Sequence, residues 1–153
     1  MRIVNLLDRK HILPDLLATS KRGVLEELAA VLMDTSETLD LEKVVEVLLE
    51  RERLGSTGIG DNIAIPHGKL PQLSRLLLAF GRSLKGVDFE SMDGKLSHLF
   101  FLLLAPTNSA GLHLKALAKI SRMLMNQSFR ESLMKAASSE DIYKLLVEKD
   151  AEF

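Results

Sequence analysis

His67 stands between Pro66 and Gly68 at the end of the run Gly55-Ser56-Thr57-Gly58-Ile59-Gly60-Asp61-Asn62-Ile63-Ala64-Ile65-Pro66-His67-Gly68. Closely spaced glycines let backbone N–H groups converge on an anion where side chains would block them. A histidine beside such a loop is a candidate nucleophile toward phosphorus. Pro66 fixes its own φ and biases Ile65 toward extended backbone, and Gly68 permits a sharp exit, so this histidine is held more firmly than a surface residue. A second histidine, His113, falls in the first turn of an expected helix. Free N–H groups and a partial positive charge gather there.

Commoner phosphate loops do not fit. Asp61 occupies the place of the lysine in a Gly-x-x-x-x-Gly-Lys-Ser/Thr loop, and no helical pattern follows. Gly58 and Gly60 supply two glycines of a dinucleotide fingerprint, but Ile63 occupies the third position and a Pro-His turn comes next. A metal reading lacks a His-Glu-x-x-His pair, cysteine ligands and carboxylates clustered beside His67 in sequence. Neither a metal nor a cofactor is expected.

The elements that must position these residues alternate in type. Ser20 caps an expected helix to about Met33, and Asp40 caps a second that ends near Arg51-Glu52-Arg53 and brings two cations to the glycine loop. Leu76–Gly81 and Leu99–Leu104 read as buried strands, with Val87–Phe89 as a shorter strand between them and a turn at Met92-Asp93-Gly94. Helical spacing resumes after Pro106 and runs to about Met125. Ser128 with Glu131, and Ser138 with Asp141, have the spacing that starts two further helices. The fold class is therefore α/β: a single-domain sandwich over residues 1–153, with a mixed β-sheet flanked by helices on both sides.

Composition sets the context. The chain has 153 residues, 46% of them hydrophobic and 27% charged, with a formal net charge of -1 and no cysteine. A nearly neutral chain offers no electrostatic footprint for nucleic acid. Its apolar runs are far shorter than the roughly 18 residues of a membrane span, and the N-terminus lacks signal-peptide features, so a cytoplasmic protein without membrane insertion is expected. Lack of cysteine removes thiol chemistry. His11, next to Arg9 and Lys10, is expected to be solvated, and His98 to sit at a strand edge or cap.

The segment Arg51–Gly60, continued through Ile63–Leu70, resembles the active-site segment of the fructose/mannitol-type enzyme IIA domains of the bacterial phosphoenolpyruvate-dependent sugar phosphotransferase system. Gly86-Val87-Asp88-Phe89, Asp93-Gly94, Leu99–Pro106 and His113–Leu117 resemble later segments in the same order, so the likeness runs from about residue 5 to 147. It is greatest to the family's nitrogen-related, regulatory members. Leu112 departs from some relatives, which carry a polar or acidic residue there.

The resemblance implies the mannitol-type enzyme IIA fold. It implies a phosphocarrier in which His67 accepts a phosphoryl group on Nε2 from the phosphohistidine of HPr or its nitrogen-branch counterpart. His113 and Arg51 would support the transfer, and Ser56, Thr57, Gly58 and Gly60 would line the phosphate loop, unless the two hydroxyls serve only the turn. The chemistry is compatible, because an imidazole with an ordinary pKa near ~6.5 is mostly neutral at pH 7 and can attack without a separate base. The onward partner is either a regulated target or, in sugar uptake, a separate enzyme IIB. A binding module of the same fold that never forms an N–P bond is the remaining alternative.

Overall fold

The computed structural model describes residues 1–35 and 38–153. Two short 3-10 turns lead into β1 (Ile12–Leu13), followed by α1 (Lys21–Val31) and α2 (Leu41–Arg53). Next come β2 (Gly58–Gly60), β3 (Ile63–Ala64), β4 (His67–Leu70), β5 (Leu77–Val87) and β6 (Ser97–Pro106). The chain then forms α3 (Ala110–Leu124), α4 (Gln127–Lys135) and α5 (Ser139–Asp150).

The strands make one mixed sheet in the order β1-β5-β6-β3-β2, and β4 also pairs with β6. β5 and β6 are antiparallel, whereas β3 and β4 both run parallel to β6 along one of its edges, interrupted at Ile65-Pro66. Alternation along β6 divides the core. Leu99, Phe101, Leu103 and Ala105 pack on α3, α4 and α5, while Phe100, Leu102 and Leu104 pack on α1 and α2. Burial of both faces explains why the run reads as nearly continuous apolar sequence. The expected sandwich, with helices on both sides of a mixed sheet, is the fold observed.

Local signals set most boundaries. The Ser20 hydroxyl accepts the Gly23 N–H, Asp40 accepts Glu42 N–H, and Ser138 accepts Asp141 N–H, each capping a helix as its sequence suggests. The cap of α4 is Asn126 rather than Ser128; its side chain accepts the Phe129 N–H at 2.8 Å, so the helix starts earlier than expected. The expected short strand Val87–Phe89 is also corrected, because β5 is continuous to Val87 and Asp88-Phe89 leave the sheet. Arg82 makes the middle of β5 look loop-like in sequence. Its guanidinium is buried, donating to the carbonyls of Pro14, Leu133 and Ala136, so a charged residue fits inside the strand.

His11 is buried, not solvated, with Nε2 2.7 Å from an Asp34 carboxylate oxygen at the end of the α1 region. The aspartate is distant in sequence, which hides the pairing. His98 lies at the start of β6 and its Nδ1 is 2.6 Å from Asn62 Oδ1, fastening the turn between β2 and β3.

Candidate functional site

Three elements meet at β4. In β4 the residues alternate, so Gly68 and Leu70 turn toward the α1/α2 side while His67, paired in register with Leu103, turns toward the α3 side. Gly68 is needed for close approach: a Cβ there would lie 2.9 Å from Val47 Cγ1 of α2. Arg51 is one helical turn beyond Val47 and therefore reaches past the sheet edge to His67. From the other face, the first turn of α3 supplies His113.

The geometry orients His67. Nδ1 donates to the Ile65 carbonyl at 2.8 Å, which leaves Nε2 with the lone pair. Arg51 Nε donates to that Nε2 at 3.3 Å, and its Nη1 donates to the Gly55 carbonyl at 2.9 Å. Burial lowers the His67 pKa, the Ile65 carbonyl opposes this, and the Arg51 cation lowers it further. A neutral ring with its lone pair on Nε2, where Arg51 donates, is the form the site favours.

His113 is buried in α3 and its ring centroid lies 5.2 Å from that of His67, with the planes 70° apart. Burial first, then the neighbouring His67 and Lys69, bring its pKa down to about 4. Nδ1 of His113 is buried without a hydrogen-bond partner among the described residues, so little compensates a proton on this ring. Both imidazoles are therefore neutral at pH 7. A cavity of about 600 Å³ opens over them, lined also by Val47, Leu54, Lys69, Leu114 and Leu117. Leu54 and Leu114 are largely exposed on its rim, as is Leu112 beside it on the surface of α3.

In the glycine loop the Ser56 and Thr57 hydroxyls serve the turn, the alternative their sequence left open. Ser56 Oγ donates to the Phe89 carbonyl and accepts Gly58 N–H, while both the N–H and the hydroxyl of Thr57 are taken by the Glu52 carboxylate. Gly55 N–H goes to the Glu52 carbonyl. The anion cradle expected of Ser56, Thr57 and Gly58 thus finds these donors already engaged in the turn. Gly58 and Gly60 belong to β2, and Gly58 lets the chain pass Ser91, whose Cα would be 3.0 Å from an added Cβ. Arg53, the second cation at the helix end, is exposed.

Arg51, His67 and His113, separated in sequence, are brought together. Lys69 and Glu52 were not singled out by sequence reasoning. Lys69 had a signal, since it is two residues after His67 on a strand and so shares its face. Glu52 had only its place beside Arg51.

Residues 5–149 match the family described as phosphoenolpyruvate-dependent sugar phosphotransferase system, EIIA 2. The chain belongs to this family. Among EIIA 2 relatives it is 44% identical over 146 residues to the nitrogen regulatory protein of Bradyrhizobium diazoefficiens, an alignment covering 95% of each chain. It is 37% identical over 129 residues, 84% of each chain, to a fructose-specific EIIA component of Haloferax volcanii. The crystal structure of nitrogen regulatory protein IIA-Ntr from Neisseria meningitidis superposes with a TM-score of 0.88 at 38% identity, covering 94% of this chain and 98% of that one. The EIIA 2 membership agrees with the resemblance carried by Arg51–Leu70.

Proposed function

We propose that this protein is a cytoplasmic phosphohistidine carrier: His67 accepts a phosphoryl group from the phosphohistidine of HPr or its nitrogen-branch counterpart, and the phosphorylation state serves mainly as a regulatory signal. The observation that carries this reading is the Nδ1–H bond to the Ile65 carbonyl, which fixes the tautomer with its lone pair on Nε2 at the cavity floor.

In the transfer, the Nε2 lone pair forms the new N–P bond as the donor's N–P bond breaks, and that electron pair returns to the donor ring nitrogen. The Nδ1 proton of His67 stays against the Ile65 carbonyl. Arg51 rests on Nε2 before transfer, so the incoming phosphoryl group displaces that hydrogen bond and takes the guanidinium onto its oxygens. Anchoring of the same guanidinium at the Gly55 carbonyl limits how far it must move. His113 supplies a neutral polar ring beside the acceptor, and the N-terminus of α3 adds its partial positive charge. The apolar rim at Leu54 and Leu114 suits close approach of a donor protein. Among the described residues no helix is long and apolar enough to cross a membrane.

Incubation with phosphoenolpyruvate, enzyme I and HPr, read by intact mass, is expected to add one phosphoryl group, lost in His67→Ala. A folded wild-type protein that gains none from any plausible donor is a binding module instead. Likeness to the fructose-specific EIIA of Haloferax volcanii favours sugar uptake as the second reading; rapid onward transfer to a separate enzyme IIB would establish it over regulation.

A further inference from the structure

Glu52 is a buried carboxylate in the last turn of α2, with no part in the transfer described above. Its Oε1 accepts Thr57 N–H at 3.0 Å and lies 2.9 Å from Lys21 Nζ, and its Oε2 accepts the Thr57 hydroxyl. Thr57 is the start of a relay. Its carbonyl accepts the Ile65 N–H at 3.0 Å, and the Ile65 carbonyl accepts Nδ1–H of His67 at 2.8 Å. The turn between Glu52 and Thr57 also carries the Gly55 carbonyl that anchors Arg51.

Packing alone does not fix this turn. Gly55 has φ +147°, and a Cβ there would meet nothing within 4 Å; its backbone is held instead by hydrogen bonds, its N–H donating to the Glu52 carbonyl and its carbonyl accepting from Arg51 Nη1. Ser56 fastens the turn to the Phe89 carbonyl. Glu52 grips two donors of one residue at once, and Lys21, itself mostly buried with Nζ 4.9 Å from the centre of the Phe89 ring, keeps the carboxylate in place. A carboxylate clamp of this kind is stiffer than a single neutral hydrogen bond.

We propose that Glu52 is a positioning residue for phosphoryl acceptance: by clamping Thr57 it sets, through Ile65, the tautomer and direction of the His67 ring and, through the same turn, the anchor of Arg51. This rests on the reading of His67 as the acceptor. The Glu52 charge also acts on His67 directly, opposing the Arg51 cation in its effect on the ring's protonation.

The test uses the full chain with Glu52→Ala, Thr57→Val and Thr57→Ser. Long-range proton–nitrogen NMR reads the His67 tautomer, intact mass reads the initial rate of phosphoryl uptake from phospho-HPr, and circular dichroism checks folding. The wild type and Thr57→Ser are expected to hold a single Nδ1–H tautomer. Glu52→Ala and Thr57→Val are expected to fold, to show mixed tautomers and to take up phosphoryl groups about tenfold more slowly or worse, as misplacement of a reacting group does. An unchanged tautomer in both variants overturns the proposal whatever the rate. If one variant fails to fold the other decides, and loss of fold in both overturns it by making the pair structural. A wild type that takes no phosphoryl group sinks the carrier reading alone, because the tautomer still reports the clamp.

Discussion

Two imidazoles lie 5.2 Å apart: His67 disfavours protonation of the buried His113, while burial and the Arg51 cation on its Nε2 disfavour protonation of His67. The consequence, on the proposed carrier reading, is that His67 keeps its Nε2 lone pair across the neutral range. His113 should titrate near its depressed value of about 4 in proton NMR, and in His67→Gln its midpoint should move up toward 6.5, because one of the causes holding it down is gone. A wild-type midpoint near 6.5 would mean that the ring is solvated. Arg51 acts by geometry as well as charge, contacting His67 through Nε and Gly55 through Nη1. Lysine keeps the charge but cannot make both contacts. Arg51→Lys is therefore expected to slow phosphoryl uptake by roughly a hundredfold, the scale of losing one positioned donor to developing charge, with little change in melting temperature. A rate within a few-fold of wild type would reduce Arg51 to a generic cation.

At the scale of elements, the site exists because α2 can lie close against β4. Val47 is β-branched and stiff on a helix, so the Cβ that Gly68→Ala places 2.9 Å from Val47 Cγ1 cannot be absorbed by a rotamer change. The variant should lose about 1–3 kcal/mol by overpacking and should also slow phosphoryl uptake, since α2 carries Arg51 away with it. Adding Val47→Ala makes room and should recover uptake above Gly68→Ala alone; failure to recover would show that the approach of α2 does not set the site. This dependence was half legible in the sequence. The caps at Ser20, Asp40 and Ser138 and the apolar runs of β5 and β6 gave most of the helices and the sheet, and the segments Arg51–Leu70 and His113–Leu117 gave Arg51, His67 and His113. What escaped was decided mostly by partners remote in sequence: Arg82 found the carbonyls of Pro14 and Leu133, His11 found Asp34, and the Ser56 hydroxyl found Phe89, while Thr57 found the nearby Glu52. Hydrogen-bonding groups announce a need for partners, but periodicity does not say where the partners are.

At the scale of the whole molecule, the two ends of the chain are joined to α3 by one buried carboxylate. Asp150, at the end of α5, is fully buried; it pairs with Lys119 of α3 at 2.6 Å, accepts Val4 N–H at 3.1 Å and meets Arg2 Nε at 3.2 Å. Lys119 also donates to the Met1 carbonyl. Burial by itself would raise the Asp150 pKa, but Lys119, the N-terminal N–H groups and Arg2 outweigh it and hold the carboxyl below its ordinary 3.8. The acid response should then have two limbs. His67, His98 and His113 all have folded pKa values below 6.5, so the unfolded chain binds more protons and stability falls as pH drops from about 6.5 toward 4. Asp150 adds little over most of that range; its stabilisation is full above about pH 5 and is lost mainly as pH falls through 3.8 toward its lower folded value. Urea midpoints at pH 7, 5 and 3 separate these limbs. Asp150→Asn strands the buried Lys119 charge and should cost about 3–5 kcal/mol at pH 7. In this variant the lower limb should become shallower, without vanishing, because Asp34 and Asp93 are also held low by their hydrogen bonds. The upper limb should keep its slope, since it belongs to the histidines. If Asp150→Asn instead flattened the loss between pH 6.5 and 4, the histidines would not be the source of that limb, and their placement as neutral rings in the folded protein would be wrong.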